Sequence, residues 1–375
     1  MTHRDVAHDE GELPPPHPAR YAEQALLGAL LLRPDRLAPI EAIIGPETFD
    51  HHAHSALFTA IRDLPTPELA HHTSTTTWLN QVLTTAQRHT QGLDASYLHT
   101  LIAHCPQTAH ATAYARIVQA DHARRTLREH AQRLAHTATD ATLPRPVTAT
   151  LAQLDTLAQF LDDLSTQLPT HSGPLRHGTP LPTPIAAEDD PAALEEERLL
   201  LASAAAQPGE AAAMHWLSAS DFTHPLHAGL WRSLTTLLRR GEPIDPVTIL
   251  YEAHQQGGLA REAVEPEDVL ALLATPAGSA HHWGERILQR ALLTTASHVG
   301  HHIQALANDP PTGTHQLVVS SRRAIGRAQS LRTRWDQATH TRPQRGARAP
   351  TTTAASPRAG PPRPAPTAPP RSRTR

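Results

Sequence analysis

Glu23-Gln-Ala-Leu-Leu-Gly-Ala-Leu-Leu-Leu32 is the stretch whose reading decides the fold. Ala22, Ala25, Leu26, Ala29 and Leu30 recur at three- and four-residue spacing, the apolar stripe of an amphipathic helix, and Pro34 stops the run. Downstream, Leu37 to Ile44 predicts a short second helix ending at Gly45-Pro46. Phe49 then leads into a third helix, whose stripe Leu57, Phe58, Ile61 and Leu64 is a core face.

The same pattern returns once. Sliding the chain on itself by 173 positions brings Glu23 to Leu64 onto Glu196 to Leu237 without a gap. In this register Glu23 falls on Glu196, Leu26 and Leu27 on Leu199 and Leu200, and Phe49 on Phe222. His54 falls on His227, Leu57 on Leu230, Phe58 on Trp231, Ile61 on Leu234 and Leu64 on Leu237. Aromatic residues are only 3% of the composition, so aromatic-on-aromatic matches with the same His spacing mark a duplicated domain.

Beyond the third helix, the first copy offers short helices at Trp78 to Ala86 and Tyr97 to Ala103. A long arm follows from about Ala109 to Ala138, carrying Tyr114, Ile117, Val118, Leu127 and Leu134. After Pro144-Arg-Pro146 a second arm carries Val147, Leu151, Leu154, Ala158 and Leu161, alternating steps of four and three that form a coiled-coil seam. The second copy repeats the plan: an arm from about Ala280 to Ala307 with Ile287, Leu288 and Leu292, a breaker at Asn308-Asp-Pro-Pro311, then Leu317, Ala324, Ala328, Leu331 and Trp335. The expected fold is all-α: two small helical globules, each followed by a helical hairpin.

The expected boundaries are a disordered start over 1–19, copy one over 20–164, a linker over 165–190, copy two over 191–336 and a tail over 337–375. The linker holds five prolines and two glycines. As flexible coil its length would span roughly 25–30 Å, enough for the copies to move and to fold back on each other. The tail holds no acidic residue, while Arg and Pro recur to its end, a composition expected to be disordered.

Composition removes several classes of function. All 33 basic side chains are arginine. A G-x-x-x-x-G-K-[ST] loop needs its lysine to reach the β- and γ-phosphates, so no such ATPase site can be built from these residues. No run approaches the roughly 18 apolar residues of a membrane span, and the start lacks the basic and apolar regions of a signal peptide. Cys105 is the one cysteine. The expectation is a cytoplasmic protein with no cofactor and no membrane partner.

These motifs resemble the N-terminal domain of the replicative DNA helicase DnaB family, which opens on an E-x-A-x-L-G-A-L-L-L type helix and continues to F-x-x-x-x-H-x-x-[IL]-[FW]-x-A-[IL]. The first copy carries both, the second motif as Phe49, His54, Leu57, Phe58, Ala60 and Ile61. The family's D-x-V-T-[IL] stands in copy two as Asp245-Pro-Val-Thr-Ile249, with a Thr-rich version at Thr73 to Trp78 in copy one. Its A-x-Y-A-x-I-V stands in copy one as Ala111 through Val118, whereas copy two reads Trp283-Gly-Glu-Arg-Ile-Leu288 without the tyrosine. In copy two's first helix Leu-Ala-Ser stands where the family has Gly-Ala-Leu. The resemblance implies a globule with a hairpin, hairpins that pair between subunits, a collar of dimers above the motor ring, and a dock for the helical domain of primase. The motor itself is not recognised, so the expected role is binding rather than catalysis, with primase or a DnaB-type helicase as partner and self-association through the hairpins. Two alternatives stand beside it: a subunit of a split helicase whose motor is another chain, and a regulatory DNA-binding paralogue.

Phe49, His54, Leu57, Phe58, Ile61, Phe222, His227, Leu230, Trp231 and Leu234 are expected to be core positions, the two histidines as packing or capping groups. The pairs His51-His52, His281-His282 and His301-His302 do not have metal-ligand spacing, since neighbours on a helix point apart. Glu195-Glu-Glu197 with Asp189-Asp190 reads as an acidic first turn favoured by the helix dipole. The candidate nucleic-acid contacts are Arg342, Arg345, Arg348, Arg358, Arg363, Arg371, Arg373 and Arg375, which would displace counterions from phosphates. No aromatics interleave them, so this binding would be weak and non-specific.

Overall fold

The computed structural model describes residues 17–68, 72, 74–167, 190–257 and 264–340. Within them the chain is helical, with no strand. Residues 1–16 of the expected disordered start, most of the linker, Thr73 and the arginine tail lie outside these residues.

Repeat one begins with α1 (Pro18–Leu32), α2 (Leu37–Glu41), α3 (His52–Asp63), α4 (Thr77–Ala86) and α5 (Ala95–Ala103). Its hairpin is α6 (Ala111–Thr139) and α7 (Pro146–Gln167). Repeat two begins with α8 (Pro191–Ala206), α9 (Pro208–Ala213), α10 (Pro225–Arg240), α11 (Pro246–Gln255) and α12 (Pro266–Leu273), and its hairpin is α13 (Ala280–Asn308) and α14 (Thr314–His340). Three expected boundaries shift: Pro18 and Ala19 belong to α1 rather than the disordered start, Ser165 to Gln167 to α7 rather than the linker, and Gln337 to His340 to α14 rather than the tail. Among the described residues seven helices begin on a proline. The fixed φ suits the first turn and the missing N–H is one the helix could not use, so these prolines start helices rather than loosening the chain.

Each globule closes on its own core. In repeat one Leu26, Leu27, Leu57, Phe58 and Leu101 are fully buried together, and in repeat two Leu200, Leu201, Leu230, Trp231 and Leu234. Gly28 on α1 lies under α5: a Cβ there would sit 2.1 Å from the Leu101 carbonyl oxygen, so only glycine permits this crossing.

The hairpins close on each other. Leu127, Leu134, Leu154, Leu157 and Leu161 of the first share one buried cluster with Ala296, Val299, Ile303, Ala324 and Ile325 of the second. α6 and α13 are both 29 residues long and run antiparallel, since Arg124 meets the end of α13 while Ala131 meets Gly300. Ala131 and Gly300 are each the twenty-first residue of their helix, so the helices cross at equivalent points, on a pseudo-twofold axis. A Cβ on Gly300 would lie 2.6 Å from the Ala131 carbonyl oxygen and 2.8 Å from the Ala135 Cβ. Small residues at the crossing set how closely the helices approach.

Between the return helices α7 and α14, Arg322 pairs with Asp162 and Arg332 with Asp155. At the ends of the bundle, each hairpin reaches the other repeat. Val147 at the start of α7 packs into the core of repeat two. At the opposite end Arg124 donates to the carbonyls of Ala307, Asp309 and Thr312 (3.1, 2.9 and 2.5 Å), satisfying acceptors that the end of α13 leaves over.

Gly300→Val should push α6 and α13 apart. Overpacking of this kind costs about 1–3 kcal/mol, to be read as a lower urea midpoint. An unchanged midpoint would contradict the crossing.

Candidate functional site

A buried carboxylate–imidazole tie occurs once in each repeat. In repeat one Glu23 on α1 is 1% exposed and His54 on α3 is 0% exposed. Nδ1 of His54 lies 2.6 Å from Glu23 Oε2 and therefore carries the proton, because a carboxylate only accepts. Nε2 then accepts from the Tyr97 hydroxyl at 2.7 Å, and burial pushes the Tyr97 pKa up, which keeps that proton in place. The other carboxylate oxygen accepts from the Asp50 amide at 2.6 Å. The tie thus joins α1, the entry to α3, and α5.

Repeat two builds the same tie from Glu197. Nδ1 of His227 lies 2.8 Å from Glu197 Oε2, and the Thr223 amide donates to Oε1 at 2.6 Å. Beside each tie lies a second, tilted ring, His51 against His54 with centroids 4.7 Å apart and His224 against His227 at 4.8 Å. Burial holds His51 below the ordinary imidazole value, which removes one source of repulsion between neighbouring rings. Neither His54 nor His227 caps its helix: in repeat two that role falls to His224, which accepts the Leu226 amide at the start of α10, while His51 makes no side-chain cap to α3.

The tie corrects the sequence register. Glu23 matches Glu197, and Leu26 and Leu27 match the equally buried Leu200 and Leu201, so the first helices align one residue further on than the third helices. Glu196, the expected partner of Glu23, lies nearer the surface and pairs with Arg286 and Arg290 on α13. Nor do the three glutamates form an acidic first turn. Asp190 caps α8, Glu195 pairs with Arg198, Glu196 bridges to α13 and Glu197 is buried.

The expected core residues Phe49, Leu57, Phe58, Ile61, Phe222, Leu230, Trp231 and Leu234 are all buried, with Phe49 tilted on Phe58 and Phe222 on Trp231. Ile117, expected in the hairpin seam, faces out instead at 49% exposure. The adjacent histidines separate: His51 lies tilted against His54 while His52 reaches the His89 carbonyl, and His281 meets Trp216 edge-on while His282 lies against Trp283. Among the described residues no three potential ligands converge on a metal position, and no helix is long and apolar enough to cross a membrane. The tail arginines lie outside the described residues. What the surface does offer is apolar: Val247 and Tyr251, each 64% exposed and one turn apart on α11, and Tyr21 on α1. Their weak signal in the sequence is Val247 in i, i+4 relation to Tyr251, on the face opposite Ile249 and Ala253.

Removing the imidazole leaves a buried carboxylate without its hydrogen-bond donor, which costs at least about 1–3 kcal/mol. His54→Ala should therefore cost that order in chemical denaturation. For Glu197, burial would raise the carboxyl pKa, but hydrogen bonds from His227, the Thr223 hydroxyl and the Thr223 amide outweigh it and hold it below the ordinary value. A depressed folded-state pKa stabilises fully above the unfolded value near about 4.3 and is lost as pH falls through the folded value. The stability of Glu197→Gln should accordingly vary less than that of the parent across the acid range, followed by urea midpoints at successive pH values.

The family model described as the DnaB-like helicase N-terminal domain matches this chain twice, over residues 15–120 and 189–287, which together are more than half of it. Each match takes in a globule and the outgoing part of its hairpin. Among curated proteins and among solved structures nothing matches. With both matched segments folding onto the same helical plan around the same buried tie, the chain belongs to the DnaB-like helicase N-terminal domain family and carries that domain twice.

Proposed function

We propose that this chain is a non-catalytic module of DNA replication that docks primase or a DnaB-type helicase ring through its helical surfaces. The observation that carries this reading is the pairing of the two hairpins within one chain. The resemblance implies hairpins that pair between subunits; here the pairing partner is supplied in cis, leaving the outward faces of both globules for other proteins. Three such chains would present six domains, the number in a hexameric collar.

The exposed pair Val247 and Tyr251 supports repeat two as the docking side. Matching the buried Trp78 with Ile249 and Val82 with Ala253 places Thr76 and Asn80 at the corresponding turn of repeat one, where both are polar. An aromatic residue in a partner's pocket is the usual source of concentrated binding energy. The lack of any lysine supports the absence of a phosphate-loop ATPase in this chain. Contact of the eight tail arginines with nucleic acid accompanies the reading, and its signature is a steep loss of affinity with salt.

Affinity capture of the intact protein should recover primase or a replicative helicase, and Tyr251→Ser should weaken that capture by about tenfold or more. In light scattering the assembly should have about three times the 40.7 kDa chain mass. A monomer at high micromolar concentration removes the collar arrangement. Capture of neither partner removes the docking role, and recovery of a separate RecA-like ATPase with the chain would make it a subunit of a split helicase instead.

A further inference from the structure

Repeat two fills a cleft that repeat one leaves open. The return helices match through their buried residues, Leu157 with Ala324, Leu161 with Ala328 and Leu164 with Leu331, so Gln167 at the end of α7 corresponds to Arg334 in α14. The Arg334 guanidinium donates to both oxygens of Asp221 (2.5 and 2.9 Å) and to the Trp216 carbonyl (3.4 Å), and the Asp221 side chain is 3% exposed. Trp216 itself is 1% exposed, and Ala338 beyond it is buried in the repeat-two core. In this corner, then, an arginine lies against a carboxylate and the backbone of a buried tryptophan.

The corresponding corner of repeat one has Ile43 in the place of Trp216, Thr48 in the place of Asp221 and Gln167 in the place of Arg334. These residues line an open cleft of about 640 Å³, whose apolar wall is Phe58, Phe160 and Leu164. Glu41, Glu47 and Asp163 also line it, and among the described residues none of the three makes an ion pair. The cations facing it are few. Arg62 is engaged by Asp63, and His122 is held below the ordinary imidazole value, chiefly by burial and then by Arg125. Arg125 is near, but its guanidinium is taken by Asp50, Asp121 and the Thr48 carbonyl. The cleft is apolar on one wall and net acidic on the other.

The chain contains a segment of the complementary kind. Residues 1–340 carry 36 acidic side chains against 25 arginines, net −11, whereas residues 341–375 carry eight arginines and no acid. Its reach is sufficient. With Arg332 opposite Asp155 and Arg322 opposite Asp162, α14 ends about 30 Å along the bundle from Gln167, at 1.5 Å per helical residue. From His340 to Arg358 an extended proline-rich chain spans about 55 Å at ~3.1 Å per residue.

We propose that the open cleft of repeat one receives arginine side chains of the chain's own tail, residues 341–375, with Arg358 and Arg363 within reach of Glu41, Glu47 and Asp163. A separate segment thus brings to repeat one the arginine that continuous helix brings to repeat two, with carboxylates at other positions as its partners, since Asp221 corresponds to Thr48. The contact is electrostatic and partly exposed, hence weak, reversible and sensitive to salt. Phosphates of a bound nucleic acid would compete for the same arginines.

The test is paramagnetic relaxation in the intact chain carrying Cys105→Ala and Ser356→Cys, with a nitroxide on the new cysteine. Amide signals from Ile43 to Thr48 and around Asp163 should be broadened away at low salt. They should return near 1 M salt, where the screening length is about 3 Å. They should also return in Glu41→Gln/Glu47→Gln/Asp163→Asn, and in Arg358→Gln/Arg363→Gln, whose folded cores are untouched. Broadening spread evenly over both repeats overturns the proposal, as does broadening that survives the triple substitution. So does broadening seen only between chains in a mixture of nitroxide-labelled and isotope-labelled protein, which would make a second copy the occupant.

Discussion

A helical hairpin has one seam to bury its apolar faces in, and each hairpin of this chain has more apolar surface than one seam can cover. Leu127, Leu134, Leu154, Leu157 and Leu161 are buried in one cluster with Val299, Ile303, Ala324 and Ile325 of the other hairpin. At about 1.5–3 kcal/mol for each large apolar side chain fully buried, this shared cluster is the strongest reason for the two halves to stay together. Everything else in the arrangement depends on it. Antiparallel pairing sends the globules to opposite ends of the bundle, carries Val147 into the repeat-two core and brings the end of α13 under Arg124. Because both partners lie on one chain, pairing is set by an effective concentration on the order of mM for a short linker rather than by the protein concentration.

Duplication on a single chain relaxes symmetry, and the two halves use that freedom away from the axis. The Glu23–His54 and Glu197–His227 ties persist in almost the same geometry, since an unpaired buried carboxylate or imidazole would be costly in either copy. At the bundle ends the copies diverge. Arg124, the fourteenth residue of α6, holds carbonyl groups at one end, while the fourteenth residue of α13 is Leu293, which packs against the repeat-two core. The corner closed by Asp221 and Arg334 in repeat two is an open acidic cleft in repeat one. α11 shows Val247 and Tyr251 to solvent where repeat one has Thr76 and Asn80. Two domains of one family thus become two different surfaces on a common frame.

Much of this was legible in the residues. The stripe through Leu26, Leu30, Leu57 and Ile61, the scarce aromatics at matched positions and the proline-bounded arms are local properties, and helix periodicity reports them directly. The register of the first helices was not. Three consecutive glutamates and a run of leucines match Glu23 and its neighbours almost equally well at either offset, and only the bond to His227 identifies Glu197 as the equivalent of Glu23. Ile117 escapes periodicity for a related reason: a long helix with several apolar faces does not reveal which of them meets a neighbour.

By itself the sequence determined that the chain is helical, duplicated and without a lysine for a phosphate loop, because each of these follows from residue types and their spacing. Tertiary structure alone decided that the hairpins pair with each other, that they cross at Ala131 and Gly300, and that one corner closes on Arg334 while the other stays open. Those outcomes depend on contacts between residues more than a hundred positions apart. Such contacts are selected by the fit of whole surfaces and by the balance of buried charge, neither of which has a period that can be read along the chain.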